Sequence, residues 1–148
     1  MTVVRSDIHK VQFYATEDPK IWSNKPVGEF GPEAAVGGVW ECPDLFELKV
    51  ASSDETKWVL IVNINPGGPN GGSAMQYFIG DFDGEKFTNE QKSAEPLWLD
   101  HGLDFYAAVT WNGDKHPHEK VILGWASNWM YAADIPTTPW KGAMTLPR

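Results

Sequence analysis

Residues 57–65 read KWVLIVNIN and residues 75–81 read MQYFIGD, with the glycine-rich stretch 66–72 between them. Both runs are short and rich in β-branched and aromatic residues, which is typical of paired β-strands bounded by turn residues. Residues 81–84 (DFDG) predict a tight hairpin turn, and residues 86–88 (KFT) return from it as a further strand. The stretch therefore predicts an antiparallel sheet built from hairpins.

Upstream of this stretch, strand residues continue through a corner. Residues 38–40 lead into Glu41-Cys42-Pro43, and residues 44–50 (DLFELKV) resume the strand. Residues 38–88 therefore supply four strands linked by hairpins, which is the content of one blade of a β-propeller.

The rest of the chain repeats short strands and turns, with no convincing helix. Such spacing predicts an antiparallel sandwich, barrel or propeller, and periodicity alone does not choose among them. The predicted elements are a strand over 9–16, a turn over 17–22, a glycine- and proline-rich loop over 28–38, a strand pair at 105–111 and 120–126 joined by a charged loop over 112–119, and an irregular tail over 136–148.

The composition of the chain limits its class and its partners. Its 148 residues suffice for one domain with a sizeable core and are too few to argue for two. A net charge of −8 without a Lys/Arg cluster argues against nucleic acid, and the chain has no apolar run long enough to span a membrane. The single cysteine excludes an internal disulfide, and an aromatic content of 13% offers flat faces for the core and for stacking on a ligand.

The segment with the clearest chemistry is residues 37–45, in which Glu41 lies between Trp40 and Cys42, just before Pro43. Burying a carboxyl among apolar neighbours penalises its charged form, which suits a proton donor near neutral pH. The alternative is a structural glutamate that accepts hydrogen bonds from backbone N–H groups at a strand edge. Local chemistry leaves both interpretations open.

Residues 40–48 (WECPDLFEL) resemble the Glu-Cys motif of glycoside hydrolase family 32, the invertases, levanases and exo-inulinases. Further segments resemble the same family in the same order, so the resemblance covers essentially the whole chain. It implies an all-β fold, a partial five-bladed β-propeller with antiparallel four-stranded blades. The chain is expected to form the C-terminal part of that propeller, roughly blades three to five. The other segments are 9–14, 58–72, 76–78, 100–107, 124–129, 135–137 and 139–148.

The resemblance also implies roles for individual residues. Family members are retaining enzymes in which two aspartates supply the nucleophile and a transition-state stabiliser, and the glutamate of the Glu-Cys motif is the acid/base. Glu41 takes that catalytic role here, and Cys42, expected in a buried setting, tunes the proton affinity of Glu41. For substrate binding, Trp129 is expected to pack on the fructosyl ring, Asp100 to bond sugar hydroxyls near the entrance, and Asn65 to point into the same cleft. The alternatives are a core position for Trp129 and turn roles for Asp100 and Asn65.

The chain departs from the family pattern in ways that affect activity. It contains neither Asn-Asp-Pro-Asn-Gly nor Arg-Asp-Pro, the motifs of the two aspartates, and Met1 resembles an internal start. We therefore expect residues 1–148 to be one partial propeller domain, without the N-terminal blades and the C-terminal β-sandwich of the family. Without a nucleophile, a lone acid/base recovers a modest part of the rate acceleration, so we expect little hydrolysis by this chain alone.

Two classes of function follow. The first is a fragment of a retaining fructosyl glycosidase that hydrolyses β-fructofuranosidic bonds in sucrose, levan or inulin and is secreted in its full-length parent. The second is a non-catalytic carbohydrate-binding propeller module. The expected partners are a fructoside and, through exposed sheet edges, a second copy, but neither nucleic acid nor a membrane. No cofactor or metal is expected, because the histidines lack zinc-ligand spacing; they are His9, His101, His116 and His118.

Overall fold

The computed structural model describes residues 1–31, 35, 37–51, 53–111 and 119–148, and these residues form three antiparallel sheets. They include no α-helix, and one 3-10 helix, η1, spans Ala132–Asp134. No helix within these ranges is long and apolar enough to cross a membrane. The strands are β1 (Thr2–Arg5), β2 (Lys10–Phe13), β3 (Gly28–Phe30), β4 (Val39–Lys49), β5 (Thr56–Asn65), β6 (Ala74–Phe82), β7 (Phe87–Asn89), β8 (Leu97–Trp98), β9 (Tyr106–Thr110) and β10 (Ile122–Trp125).

The central sheet joins β4, β5, β6 and β7 in chain order, which confirms the predicted hairpins, and β8 adds beside β6. The turn between β6 and β7 is held by Asp83, whose Oδ1 accepts hydrogen bonds from the N–H groups of Lys86 at 2.6 Å and Glu85 at 2.9 Å. These two bonds lower the pKa of the Asp83 carboxyl, and the bond from Lys86 has the larger effect. Gly84 in the same turn has a φ of +101°, which glycine adopts without steric cost.

Strand β5 is apolar along most of its length because both faces of the central sheet are covered. Leu60, Val62 and Ile64 point into a core shared with β2, β3 and β7. Ile61 points to the opposite face, where it packs against residues of β6 and β9. Since alternate side chains of a strand point to opposite faces, Asn63 shares the face of Ile61 and meets β9.

The first sheet pairs β1, β2 and β3. Strand β2 lies inside the predicted strand 9–16, but β1 has no counterpart among the predicted strands, and the predicted loop over 28–38 is wrong for β3. Strand β3 is made by contacts distant in sequence: the Phe30 and Phe78 ring centroids are 4.9 Å apart, and a Cβ on Gly28 would lie 1.7 Å from the Glu85 carbonyl oxygen. A three-residue strand that begins with glycine carries no local signal of its own.

The third sheet contains β9 and β10, which confirms the predicted strand pair, although residues 112–118 of its connecting loop lie outside the described residues. The predicted irregular tail contains no strand among residues 136–148, although residues 143–148 run alongside β10 and form one isolated bridge with it. Arg148 and Ile122 exchange two backbone hydrogen bonds at 2.9 and 3.0 Å, and the Thr145 N–H donates to the Gly124 carbonyl at 2.9 Å. Pairing with a strand twenty residues upstream orders this segment, and no local pattern predicts it.

Candidate active site

Glu41 lies at a β-bulge in β4. Glu41 pairs with Asn63 and Asp44 pairs with Ile61, so β4 contains one residue more than β5 over this interval. Cys42, inside the bulge, has a φ of +41°, a left-handed conformation that costs a non-glycine residue about 1–3 kcal/mol. The predicted corner is therefore a bulge within one continuous strand.

The first sheet and β9 hold this bulge from two sides. The hydroxyl of Thr2 donates to the Pro43 carbonyl at 2.9 Å, and the hydroxyl of Ser6 donates to the Trp40 carbonyl. On the other side, Asp44 Oδ2 accepts hydrogen bonds from both the N–H and the hydroxyl of Thr110, each at 2.8 Å. The position of Glu41 is thus set by contacts from all three sheets.

The Glu41 carboxylate lies in a pocket of about 330 Å³ formed where β4, β9 and β10 meet. The hydroxyl of Tyr106, the first residue of β9, donates a hydrogen bond to Glu41 Oε2 at 2.5 Å. Burial of Tyr106, and then its hydrogen bond to the Glu41 carboxylate, raise the pKa of the phenol well above its usual range. The pocket is lined by Glu41, Cys42, Tyr106, Ala107, Trp125 and Trp129.

Trp125 and Trp129 form the aromatic wall of this pocket. Their ring centroids are 5.0 Å apart, and the Trp125 ring lies 6.4 Å from that of Tyr106. Trp129 is 57% exposed, so it is not a core tryptophan, and its indole face is open to a ligand. Such faces stack on the apolar C–H faces of sugars.

Cys42 is exposed, so the expectation of a buried cysteine is wrong. Cys42 lies within the bulge and contributes to the lining of the pocket. Partial desolvation of the thiol there, and then the negative charge of Glu41, raise the pKa of Cys42. This electrostatic coupling places Cys42 in the surroundings of Glu41, and its tuning of Glu41 stays a prediction.

The structure does not bring Asp100 and Asn65 to the Glu41 pocket. Asp100 Oδ1 accepts a hydrogen bond from the Gly102 N–H at 2.6 Å, as a turn-forming aspartate does, and Oδ2 pairs with the Arg148 guanidinium at 2.7 Å. Asn65 ends β5 opposite Val39, outside the residues that line the pocket.

Four residues of the site were not singled out by the sequence pattern. Tyr106 and Trp125 line the pocket, and two fully buried asparagines, Asn63 and Asn128, lie behind it. A polar residue such as Asn63 inside the apolar run KWVLIVNIN was the available signal, because buried amides are almost always hydrogen-bonded.

Asn128 joins three segments next to Trp129. Its Oδ1 accepts from the N–H groups of Ser73 and Met130, each at 3.1 Å, and its Nδ2 donates to the Ser73 and Leu103 carbonyls, each at 3.0 Å. All four hydrogen-bonding positions of the amide are used. The backbone that carries Trp129 is thereby fixed to the glycine-rich loop.

In the part of the chain that the structure describes, no three His, Cys, Asp or Glu side chains are grouped as metal ligands. His116 and His118 lie outside those residues. The chemistry that this arrangement offers is therefore that of a half-buried carboxyl with one oxygen held by a phenol, beside an open aromatic face.

Residues 1–148 match the model of the glycosyl hydrolases family 32 N-terminal domain over their full length. The chain belongs to glycosyl hydrolase family 32. Among the relatives of this family 32 chain, the extracellular exo-inulinase of Aspergillus niger is 47% identical over 97% of the chain and 27% of its own length. The levanase of Bacillus subtilis is 46% identical over 94% of the chain and 21% of its own length.

Solved structures of the family share the fold of this chain. Exo-inulinase from Aspergillus awamori is 46% identical with a TM-score of 0.86, over 96% of this chain and 28% of that one. The β-fructofuranosidase of Schwanniomyces occidentalis, complexed with fructosyl-erythritol, is 40% identical with a TM-score of 0.81, and the match covers 94% of this chain and 26% of that one. The chain thus spans about a quarter of the length of these relatives.

Proposed function

We propose that the chain is part of a retaining fructosyl glycosidase that hydrolyses β-fructofuranosidic bonds in sucrose or fructans, with Glu41 as its acid/base. The observation that carries this proposal is the Glu41 carboxylate in a pocket with an open tryptophan face, one oxygen bonded to Tyr106 at 2.5 Å. The relatives named exo-inulinase, levanase and invertase support inulin, levan and sucrose as the substrate class.

The geometry suits a carboxyl that transfers a proton twice. In retaining glycosidases this group first protonates the leaving oxygen and then accepts a proton from the attacking water. The bond from Tyr106 engages Oε2 and fixes the plane of the carboxyl. Oε1 accepts no hydrogen bond from the described residues, so we assign the proton transfers to Oε1.

Trp129 supports the substrate side of the proposal. Its ring is 57% exposed and lines the same pocket as Glu41, so it offers a flat apolar face for a fructosyl ring. We also propose Trp125, whose centroid lies 5.0 Å from that of Trp129, as the support that fixes this face. Contacts of Asp100 and Asn65 with sugar hydroxyls stay predictions, since both lie outside the pocket lining.

At the level of the whole fold, we propose that the three sheets are parts of successive blades, roughly three to five, of a five-bladed propeller. Residues 1–148 then form one partial propeller domain. The TM-score of 0.86 to exo-inulinase supports this arrangement. Secretion of the full-length parent is proposed because the fungal relatives are named extracellular.

The alternative, a non-catalytic carbohydrate-binding module, is favoured by one observation, the absence of both aspartate motifs from the sequence. Both proposals expect a fructoside to bind at Trp129. Binding is measured by quenching of tryptophan fluorescence with fructose, for the wild type, Trp129→Ala and the control Trp140→Ala, a comparably exposed tryptophan outside the pocket. Loss of the response in Trp129→Ala alone is expected, and equal responses in both variants would contradict a fructose site here.

Catalysis by the chain itself is measured as fructose released from sucrose, inulin and levan, against Glu41→Gln as the control. Because no nucleophile motif is present, we expect no release above that control. Clear release that depends on Glu41 would mean that another carboxylate supplies the nucleophile.

A further inference from the structure

The buried amide of Asn63 connects the two backbone segments that carry Glu41 and Tyr106. Asn63 is 0% exposed. Its Nδ2 donates to the Cys42 carbonyl at 2.9 Å, and its Oδ1 accepts from the Ala107 N–H at 2.8 Å. Cys42 follows Glu41 in β4 and Ala107 follows Tyr106 in β9. One side chain therefore joins two sheets at the residues that directly follow Glu41 and Tyr106.

Both backbone partners of this amide have left-handed conformations. Cys42 has a φ of +41° and Ala107 a φ of +50°, and neither residue is glycine. Left-handed φ is disfavoured for residues with a Cβ and persists where surrounding contacts enforce it. The Asn63 amide supplies such a contact to each, and it does so from the central strand β5, which is buried and fixed on both sides.

From this geometry we propose that Asn63 is a positioning residue: it holds the bulge of β4 and the start of β9 at the separation that the Glu41–Tyr106 hydrogen bond requires. The inference rests on the proposed function of Glu41 for its catalytic meaning. Its structural content is independent of catalysis and is tested without any activity measurement.

The bridge needs a side chain with one donor and one acceptor on the same planar group. Leucine has the size of asparagine but neither function, and serine is too short to reach both partners. Aspartate keeps an acceptor for the Ala107 N–H. Asn63→Leu therefore removes the bridge, Asn63→Ser is a milder disruption, and Asn63→Asp keeps the acceptor for the Ala107 N–H while it loses the donor to the Cys42 carbonyl.

The first measurement is amide hydrogen exchange of the full chain by NMR, with the amide of Ala107 compared with that of Trp111. Trp111 is an internal control, because its N–H, directly after β9, donates to the Val121 carbonyl at 2.8 Å, and neither residue belongs to the β4 bulge. Loss of one hydrogen bond predicts exchange about tenfold faster at Ala107 relative to Trp111 in Asn63→Leu. Asn63→Asp is expected to retain the protection of Ala107. The matched variant Val62→Ala, a buried neighbour in β5, is expected to change both amides alike.

The second measurement is spectrophotometric titration of the tyrosines at alkaline pH. In the wild type Tyr106 ionises at a higher pH than a free tyrosine, because burial and the bond to Glu41 raise the pKa of its phenol. In Asn63→Leu, and in Asn63→Ser should the leucine variant not fold, Tyr106 is expected to ionise at lower pH, while Val62→Ala leaves it unchanged. This readout reports the surroundings of the Tyr106 phenol, its burial and its bond to Glu41, rather than general stability.

Two results would overturn the proposal. If the exchange of Ala107 does not rise relative to that of Trp111 in the disrupted variants, the amide does not hold β9. If exchange changes but the ionisation of Tyr106 does not, the bridge is structural and does not position the site. A failure of Glu41 as acid/base would leave both measurements unaffected, so the two proposals fail separately.

Discussion

Replacing Tyr106 with phenylalanine removes the hydroxyl that donates to Glu41 Oε2 at 2.5 Å and leaves the buried ring in place. At neutral pH the variant loses a hydrogen bond to a charged group. Because Glu41 is partly exposed, solvent screening places the loss in unfolding free energy at the lower end of the usual range, about 1–1.5 kcal/mol.

The effect of pH on this variant gives the sharper test. The raised pKa of Tyr106 means that the folded chain keeps the phenolic proton above about pH 10, where an unfolded tyrosine loses it. Over that range the unfolded state binds fewer protons, so unfolding free energy falls by about 1.4 kcal/mol per pH unit. The contribution of Tyr106 is therefore fully present below about pH 10 and is lost progressively as the pH rises above it.

The assay is urea unfolding of the wild type, Tyr106→Phe and a control, Tyr14→Phe, across this pH range. Tyr14 is a suitable control because its hydroxyl donates to Gln12 at 3.2 Å, away from the pocket. Tyr106→Phe is expected to lose the alkaline slope assigned to Tyr106, and Tyr14→Phe is expected to retain it. If the wild type and Tyr106→Phe lost stability in parallel above pH 10, the raised pKa of Tyr106 and the reasoning from its burial and its bond to Glu41 would be refuted.

Four further predictions concern the turn between β6 and β7, the surroundings of the pocket and its neighbouring face. Gly84→Ala, at φ +101° with no atom within 4 Å of the added Cβ, is expected to lower unfolding free energy by about 1 kcal/mol. Gly72→Ala adds a Cβ 2.2 Å from Asn128 Oδ1 and is expected to lower unfolding free energy by about 3 kcal/mol in the same urea assay. Equal losses in Gly84→Ala and Gly72→Ala would contradict the packing of the loop that contains Gly72. In Glu41→Gln, loss of the charge that helps to raise the pKa of Cys42 should make iodoacetamide alkylate this single cysteine faster at about pH 8, and an unchanged rate would contradict the coupling. The chain has an apolar groove of about 290 Å³, lined in part by Val59, Ile79 and Ile122. This groove, together with exposed sheet edges, predicts self-association. Sedimentation velocity should detect this association and Ile79→Asp should reduce it; a monomer at all concentrations would contradict the prediction.

The hairpin-linked sheet could be predicted from the sequence because its information is local. Short apolar runs and the DFDG turn determine β5, β6 and β7 within thirty-four residues of chain, and each strand pairs with its neighbour. The pairing of β3 with β2, and of residues 143–148 with β10, could not be predicted. The partners are distant in sequence, and the residues themselves carry no strand pattern.

The candidate site also contains residues that the sequence could indicate and residues that depend on distant contacts. Glu41 and Trp129 could be proposed from motif resemblance, and the structure places both in one pocket. Tyr106 lies 65 residues from Glu41, so nothing in the sequence near either residue indicates their hydrogen bond. The exposure of Cys42 depends on a left-handed bulge, which the Glu41-Cys42-Pro43 corner suggests only in outline.

The proton-transfer role of Glu41 is tested most directly in a chimera in which residues 1–148 replace the matching segment of an Aspergillus exo-inulinase, to which the chain is 47% identical. The measurement is the ratio of fructose release from inulin by the chimera to that by its Glu41→Gln variant, repeated with β-fructofuranosyl fluoride. We expect the variant to be roughly 100- to 10,000-fold slower on inulin. In kcat/KM, which reports the step that breaks the glycosidic bond, it should lose far less on the fluoride, whose leaving group departs without a proton. Normal turnover of inulin by the variant, or an equal loss of kcat/KM on both substrates, would contradict the assignment of Glu41 as the acid/base.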